Sequence, residues 1–491
     1  MNTQFGTLAA LGVLVGNLTT AGCSLALDFE QCQSEADCEG YGAGAVCGSD
    51  NVCLVSDVTV DEDCGKMVCD TTINIGNVSA QNGPNANLGE GMVVGFETAF
   101  LEINDAGGIM GRQLNLIVRD DGYEPENTGL AMQDLILGGS KRKVLAIVGN
   151  VGTPTAAVAV PMAKDNDVVF HGAFTGAGLL REDPPARVVF NYRASYVQET
   201  SAIVAHLTQE RDIAIRVPPE NIGVLAQGDS AAAGDLSAFD GYGTAGFTGV
   251  AQALGGTISE NDIAVASYER NTANVDVATE HFVRWLAGPD SVETDGVVRA
   301  AIIMVPTADP AANLIISMRD AISAAKSDID PQGISLTVEE RAKLAKTDLF
   351  MASVSFVGSD KLRDNLREQS AEYCPGVAVS QVVPFPAGSS SGALAYQAAL
   401  AAYNAAEGTA HQPGFVSFEG YLAGRLFTAG LANAPSLDTD GVVAGLQSLS
   451  AEEYGIGTTL TFGVDDHQAS DKVFGTQLTA DCEFEVLNFG N

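Results

Sequence analysis

The stretch VLAIVGNVGTPTAAVAVPMAKDNDVVFHGAFTGAGLLR, Val144–Arg181, followed by RASY at Arg193–Tyr196, decides how this chain folds. It contains two apolar runs short enough to be buried strands, Val144–Val148 and Val168–His171, each followed by a loop of Gly and Thr. The first loop, Gly149–Thr155, runs into an apolar segment with helical spacing. The hydroxyls of Thr153 and Thr155 and the first backbone N–H groups therefore gather at a helix N-terminus, where an anionic ligand group is favoured. The competing role for both threonines is to cap that helix. Either way the geometry supplies neither a nucleophile nor a base.

Outward from this stretch, strand and helix alternate, the signature of parallel sheets covered by helices. Before it come strand Ile73–Val78, helix Gly83–Asn104, strand Leu114–Arg119 and helix Thr128–Leu137; within it, helix Thr155–Asp165 separates the two strands. Asn104-Asp105-Ala106-Gly107-Gly108 ends the first helix with residues tolerant of positive φ. A second series begins near Tyr196: helix Gln198–Glu210, strand Ile222–Ala226, helix Asp235–Leu254, strand Ile263–Tyr268, helix Val275–Leu286 and strand Ala300–Val305. It continues with helix Pro310–Ala325, strand Leu349–Ser353, helix Asp360–Gln369 and strand Val377–Val383. The Gly-rich Gly241–Gly249 predicts a loop inside the Asp235–Leu254 segment. Helices Gly392–Ala405 and Ser417–Ala432 follow, then hairpin-like strands near Thr458–Phe462 and Lys472–Thr479.

The length of 491 residues suits two lobes and an N-terminal appendage. A formal charge of −37, with no basic run to neutralise phosphates, argues against a nucleic-acid partner. Met1–Gly22 is apolar and rich in small residues, and reads as a signal peptide ending at Thr20-Ala21-Gly22 before Cys23. This junction resembles a lipoprotein box, which implies lipid on Cys23 and attachment to a membrane. Of the nine cysteines, removing Cys23 leaves an even number for an oxidising compartment. Cys32, Cys38, Cys47 and Cys53 cluster in a segment too short and polar to bury a core, so disulfides are expected to hold it as a stalk over residues 23–70. Cys64 and Cys69 would close a small loop, leaving Cys374 and Cys482 as a long-range pair. No CxxC spacing with nearby His occurs, so neither a metal nor a cofactor is expected.

The segment NVSAQNGPNANLGEGMVVGFETAFLEINDAGGIMGRQLNLIVRDDGYEP, Asn77–Pro125, resembles the opening of the type I periplasmic binding proteins of branched-chain amino-acid ABC transporters. Ser79, Gly83-Pro84, Asn104, Gly107-Gly108-Ile109, Gly111-Arg112 and Asp120-Asp121 fill the family pattern, and TGAGLLR, YERNT, VSFVGS, QVVPFP and SFEGYLAGR follow in order from Thr175 to Arg425. The resemblance implies an α/β fold of two doubly wound three-layer lobes with ligand in the cleft between them. Lobe 1 would be 71–195 plus 384–450 and lobe 2 196–383 plus 451–491, with crossings near Arg193–Tyr196, Pro384–Gly388 and Ser448–Gly457. It further implies a periplasmic monomer that passes a small molecule to an ABC permease.

In amino-acid binders of this family, hydroxyls and backbone N–H groups of the first lobe hold the α-carboxylate. The matching positions are Gly152, Thr153 and Thr155 and then Phe174, Thr175 and Gly176; Ser79, Tyr196, Asp229, Thr307, Ser355 and Phe356 complete the candidate ligand contacts. The family's acidic partner for an ammonium, near the end of the fourth strand of lobe two, is replaced by Ser353-Val354-Ser355-Phe356. An unpaired buried charge is strongly disfavoured, so a small carboxylate, an amide or another polar metabolite stands beside an amino acid as the expected ligand. Glu419 is a substitute anchor, or else lies in the first turn of a helix capped by Ser417.

Enzyme chemistry has little support. The five histidines form no HExxH arrangement, and GxSxG, P-loop and dinucleotide fingerprints are absent. His171 is a candidate for the cleft wall or for a buried structural role. Asp438-Thr439-Asp440-Gly441 lacks EF-hand spacing and reads as a turn before a helix. A ligand-sensing lipoprotein that signals to a membrane partner is the alternative function.

Overall fold

The computed structural model describes residues 34, 45–47, 53–55, 66–136, 143–208, 216–234, 244–255 and 263–489. By contact the chain divides into Met1–Leu54 and Val55–Asn491. Two short strands, β1 (Ala45–Cys47) and β2 (Cys53–Val55), pair with each other. Cys23, Cys32, Cys38 and Cys64 and the expected signal peptide lie outside the described residues, and Cys47 and Cys53 are described only as strand backbone.

The alternation in the sequence becomes β3 (Thr72–Ser79), α1 (Ala86–Asp105), β4 (Gln113–Asp120), α2 (Pro125–Ile136), β5 (Ala146–Val148), α3 (Thr153–Asp165), β6 (Val169–His171) and β7 (Val189–Phe190). The five strands are parallel in the order β4-β3-β5-β6-β7. After a crossing come α4 (Tyr196–Thr208), β8 (Ile222–Gly228), β9 (Ala232–Ala233), α5 (Thr244–Ala253), β10 (Ala264–Glu269), α6 (Asp276–Ala287), β11 (Val298–Val305) and α7 (Ala308–Lys326). Then follow α8 (Val338–Leu344), β12 (Thr347–Ser353), α9 (Ser359–Gln369) and β13 (Ala378–Gln381). The parallel strands of this sheet run β13-β12-β11-β8-β10, the same winding as the first. Nearly every residue of β3, β8 and β11 is buried, which requires cover on both faces of each sheet.

Three helices, α10 (Ser391–Glu407), α11 (Phe415–Asn433) and α12 (Thr439–Gln447), return to the first sheet. His171 Nε2 donates to the Ala423 carbonyl at 2.9 Å, and Thr439 donates to the Asp167 carbonyl at 2.7 Å. α11 lies tightly on α1, where Gly91 and Gly95 face Val416, Ser417 and Tyr421, and Gly420 and Gly424 face Met92, Phe96 and Ala99. The chain ends in β14 (Phe474–Leu478) and β15 (Phe484–Leu487), which add antiparallel strands beside β13. A disulfide joins Cys374 to Cys482 across this edge, and Cys69 is also disulfide-bonded.

Several expectations change. The Gly-rich loop does not extend through Gly249: Thr244–Ala253 is helical, because Gly246 lets Val305 approach and Gly249 lets α4 approach at Val197 and Thr200. Residues 235–243 of the expected helix lie outside the described residues. Thr458–Phe462 is not a strand, only a bridge from Leu460 to Glu452. The third crossing comes later than Ser448–Gly457, since Phe462 packs on Phe190 and His171, and Ala469 N–H donates to Asn191 O at 2.8 Å. Helix α11 starts at Phe415 with Gly414 as N-cap, so Ser417 is not the cap; its hydroxyl meets the Tyr396 hydroxyl at 2.6 Å. Asp438 caps α12, accepting from Gly441 N–H at 2.8 Å.

Candidate functional site

In an open α/β sheet the crevice lies past the carboxyl ends of the strands, where the winding reverses. That point falls between β3 and β5 in the first sheet and between β8 and β11 in the second. In the first, Asn77 Nδ2 donates to the Val148 and Gly149 carbonyls and Asn150 Nδ2 to Val78 O, which fixes both strand ends. Ser79 serves the same loop: its hydroxyl donates to Asn77 Oδ1 at 2.7 Å and accepts from Gln81 Nε2 at 2.9 Å.

Helix α3 starts at Thr153 after Gly152, whose φ of +99° admits a residue without Cβ and whose open face lies against the Tyr123 ring. No side chain caps this helix. Thr153 Oγ1 instead meets Thr175 Oγ1 at 2.9 Å, and Thr175 donates onward to the Tyr196 hydroxyl at 3.2 Å. Thr155 is turned away, donating to the carbonyls of Val151 and Gly152 in its own first turn. Gly176 has no side chain because Tyr196 occupies that space, its N–H donating to Gly176 O at 2.8 Å. Tyr196 is thus the first residue of α4, and burial pushes its hydroxyl up to about 12, so it is neutral at ordinary pH.

The second lobe meets this wall directly. The Phe356 ring stands 5.7 Å from Phe174, 6.0 Å from Tyr196 and 6.4 Å from Tyr123, centroid to centroid. The Tyr123 hydroxyl lies 3.3 Å from the Gln227 amide at the end of β8. Tyr268, ending β10, donates to Gln227 Oε1 at 3.1 Å and accepts from Thr307 N–H at 3.1 Å, the N-cap residue of α7. Around the rim, Arg270 and Asn271 bond Glu124, and Asn85 bonds Asn271 at 2.8 Å. The lobes are therefore closed upon each other.

Behind the aromatic wall lies a buried ionic cluster. Arg193 Nη2 donates to Glu199 Oε1 at 3.0 Å and to the Ser355 hydroxyl, and its Nη1 is 3.5 Å from Glu419 Oε1. All three charged residues are at most 2% exposed. Glu199 Oε2 accepts from Ser355 N–H at 2.8 Å and Ser380 Oγ at 2.6 Å. Burial opposes the Arg193 charge, but Glu419 and Glu199 outweigh it and hold the pKa above its ordinary value. Burial raises Glu419 to about 7 despite Arg193, and lowers Arg181, with help from the like charge of Arg193, to about 9. The cluster sits where the crossings run together: Tyr192 donates to Val382 O at 3.2 Å and Asn191 N–H to His467 O at 2.7 Å.

Of the sequence candidates, Gly152, Thr153, Phe174, Thr175, Gly176, Tyr196, Ser355 and Phe356 come together at the interlobe contact, with Thr307 joined through Tyr268. Thr155 and Ser79 are spent on their own loops, and Asp229 is exposed just beyond β8. Glu419 lies beyond the first turn of α11 and faces Arg193, while His171 is buried in the core beside Phe427, its pKa lowered by burial to about 4. Sequence reasoning missed Tyr123, Gln227, Tyr268, Arg193 and Glu199. Tyr268 and Arg193 stood within YERNT and RASY, and Tyr123 follows the Asp120-Asp121 pair.

The model of the periplasmic binding protein family matches residues 72–293. The chain is similar to the Leu/Ile/Val-binding protein BraC3 of Rhizobium johnstonii, 35% identical over 91 residues that make up 18% of this chain and 23% of that protein. It is also similar to the Leu/Ile/Val-binding protein homolog 3 of Brucella melitensis, 29% identical over 145 residues, 27% of this chain and 39% of that protein. The matched stretch thus spans well under half the length of these curated relatives. In structure it is similar to a possible leucine/isoleucine/valine-binding protein from Rhodopirellula baltica, with 31% identity and a TM-score of 0.67 over 85% of this chain and 97% of that one.

Proposed function

We propose, from the premise that the chain belongs to the type I periplasmic binding proteins of the Leu/Ile/Val-binding family, that it captures a small polar metabolite between its lobes and delivers it to an ABC permease. The family consists of binding proteins rather than enzymes. The observation that carries the reading is the meeting of two identically wound sheets at their carboxyl ends, with Thr153, Thr175 and Tyr196 on one side and Gln227, Tyr268, Thr307 and Phe356 on the other. Thr153 and Thr175, beside the N-terminus of α3, are suited to a carboxylate or amide oxygen. The three crossings act as a hinge, and the closed state reports occupancy to the permease. Amino acids, amides and small carboxylates are the candidate solutes.

In this reading residues 71–195 with 384–450 form one lobe and 196–383 with 451–491 the other, apart from the stretch to Ala469, which packs with the first. The protein acts as a periplasmic monomer tethered through lipid on Cys23. Two measurements test this. Mass spectrometry of small molecules released on denaturing the purified protein is expected to yield a stoichiometric solute, and finding none, together with no thermal shift across a metabolite panel, would refute solute capture. Cys23→Ala is expected to move the protein from the membrane to the soluble fraction; unchanged fractionation would refute the anchor.

A further inference from the structure

Arg193, at the first crossing, is shared by two buried carboxylates that come from opposite sides of it. Glu199 stands on α4 and belongs with the second sheet, since its Oε2 accepts from Ser355 N–H at 2.8 Å, just past β12, and from Ser380 Oγ at 2.6 Å, in β13. Glu419 stands on α11, which returns to the first sheet. The two are held unequally. Glu199 has three donors, counting Arg193 Nη2 at 3.0 Å. Glu419 Oε1 lies 3.5 Å from Arg193 Nη1, an ion-pair distance, and that nitrogen donates no hydrogen bond among the described residues. Of two carboxylates that share one buried cation, the one with the weaker hold is the one that takes up a proton.

Burial raises the Glu419 carboxyl to about 7 against the pull of Arg193, with Glu199 adding to the rise and Arg181 opposing it; Tyr192 also faces it, as a neutral phenol. The other titratable groups on elements against α11 are engaged elsewhere. Glu97 bonds Tyr403, Glu102 bonds Tyr421 and Asp440 pairs with Arg187. Tyr396 bonds Ser417, His171 bonds the Ala423 carbonyl, and Asp360 accepts from Phe415 N–H at the start of the helix. Opening of the lobes about the crossings would carry Glu199, Ser355 and Ser380 away from α11 and admit water to Glu419. Loss of the like charge and gain of water both return this carboxyl toward its ordinary 4.5. The closed form therefore holds the proton more tightly, and by linkage protons favour the closed form.

We propose that closure of the lobes is coupled to proton uptake at Glu419, so that the protein closes, and holds its solute, more firmly at mildly acidic than at alkaline pH. This coupling rests on the reading of the chain as a two-lobed solute-binding protein. X-ray scattering from the purified protein, freed of solute by dialysis in dilute urea and returned to buffer, tests it without any ligand. From pH 8 to pH 5.5 the ratio of closed to open protein is expected to rise roughly tenfold, within the limit of about thirtyfold that carboxyl values of about 7 closed and 4.5 open allow, and the radius of gyration to fall. Glu419→Gln copies the protonated acid and is expected to be as compact at pH 8 as the wild type at pH 5.5, with an unchanged circular-dichroism spectrum. Glu419→Asp keeps a carboxyl but draws it back from Arg193, so it is expected to move the midpoint of the response to higher pH. Glu97→Gln removes a half-buried carboxyl bonded to Tyr403 on α10, away from the crossings, and is expected to keep the wild-type response. A wild-type radius of gyration that does not change between the two pH values, or a change that Glu419→Gln retains, overturns the coupling while solute capture stands. Absence of any released solute, with no thermal shift across the metabolite panel, refutes solute capture whatever the scattering shows.

Discussion

Gly152 shows how one residue joins the two lobes. Its φ of +99° and its bare face against Tyr123 let that ring reach Gln227 in the opposite lobe. Gly152→Ala adds a Cβ that overlaps the Tyr123 ring at a backbone angle costly for any side chain, so a loss of about 1–3 kcal/mol in stability and a weaker solute affinity are expected, read by denaturant titration and calorimetry. Glu419 makes a different prediction. Its carboxyl holds a proton up to about 7 in the folded protein but only to about 4.5 when unfolded. The folded state therefore binds more protons across that window, and the group's contribution to stability declines as pH rises from about 4.5 to 7. Glu419→Gln removes this term, so the variant is expected to gain on the wild type as pH goes from 5 to 8 in urea unfolding. A constant difference would mean that Glu419 does not titrate there. His171, lowered to about 4, acts in the opposite direction and costs stability as pH falls from 6.5 to 4. Thr153 and Thr175 could be picked out because each stands in a loop just after an apolar run, Val144–Val148 or Val168–His171. Arg193 could not, since its meaning lies in Glu199, Ser355 and Glu419, which no local pattern links to it.

At the scale of elements, the strands and amphipathic helices were readable because burial on both faces of a parallel sheet leaves uninterrupted apolar runs. The first half of helix α5, Thr244–Gly249, was not, because Gly246 and Gly249 are there for close approach to Val305 and α4, and glycine selected for contact looks the same in sequence as glycine selected for a turn. Helix α8 also escaped, although Thr337 and Glu340 form a full capping box, because seven residues are too few for an apolar period to show. The α1–α11 contact rests on the same use of glycine. A Cβ on Gly95 would meet the Ser417 carbonyl and the Tyr421 backbone, and backbone cannot rotate away. Gly95→Ala is expected to force the helices apart at a cost of about 1–3 kcal/mol. Gly129 on α2 has only Val158 at 3.6 Å in the same direction, so Gly129→Ala should stabilise by about 0.5–1 kcal/mol through helix propensity alone. Measuring both midpoints in urea checks the opposite signs.

For the whole molecule, the closed state is held at its rim by partly exposed polar contacts and at its centre by aromatic rings. Glu124 bridges to Arg270 and Asn271 but is substantially exposed, so its share of closure is about 0–1 kcal/mol. Glu124→Ala is expected to weaken solute affinity by no more than about fivefold and to raise the radius of gyration of the solute-free protein in X-ray scattering; a hundredfold loss would place Glu124 in the solute site instead. The order in which the lobes are assembled has one more consequence. The first sheet waits for α10–α12, and the edge of the second waits for β14 and β15, whose strands pair with β13 only once almost the whole chain exists. A chain that stops before α10–α12 therefore lacks a finished first lobe, and one that stops before β14 lacks a finished second. The disulfide from Cys374 to Cys482 can form only when the last strands have arrived, so its appearance during biogenesis is a natural clock for completion of the second lobe.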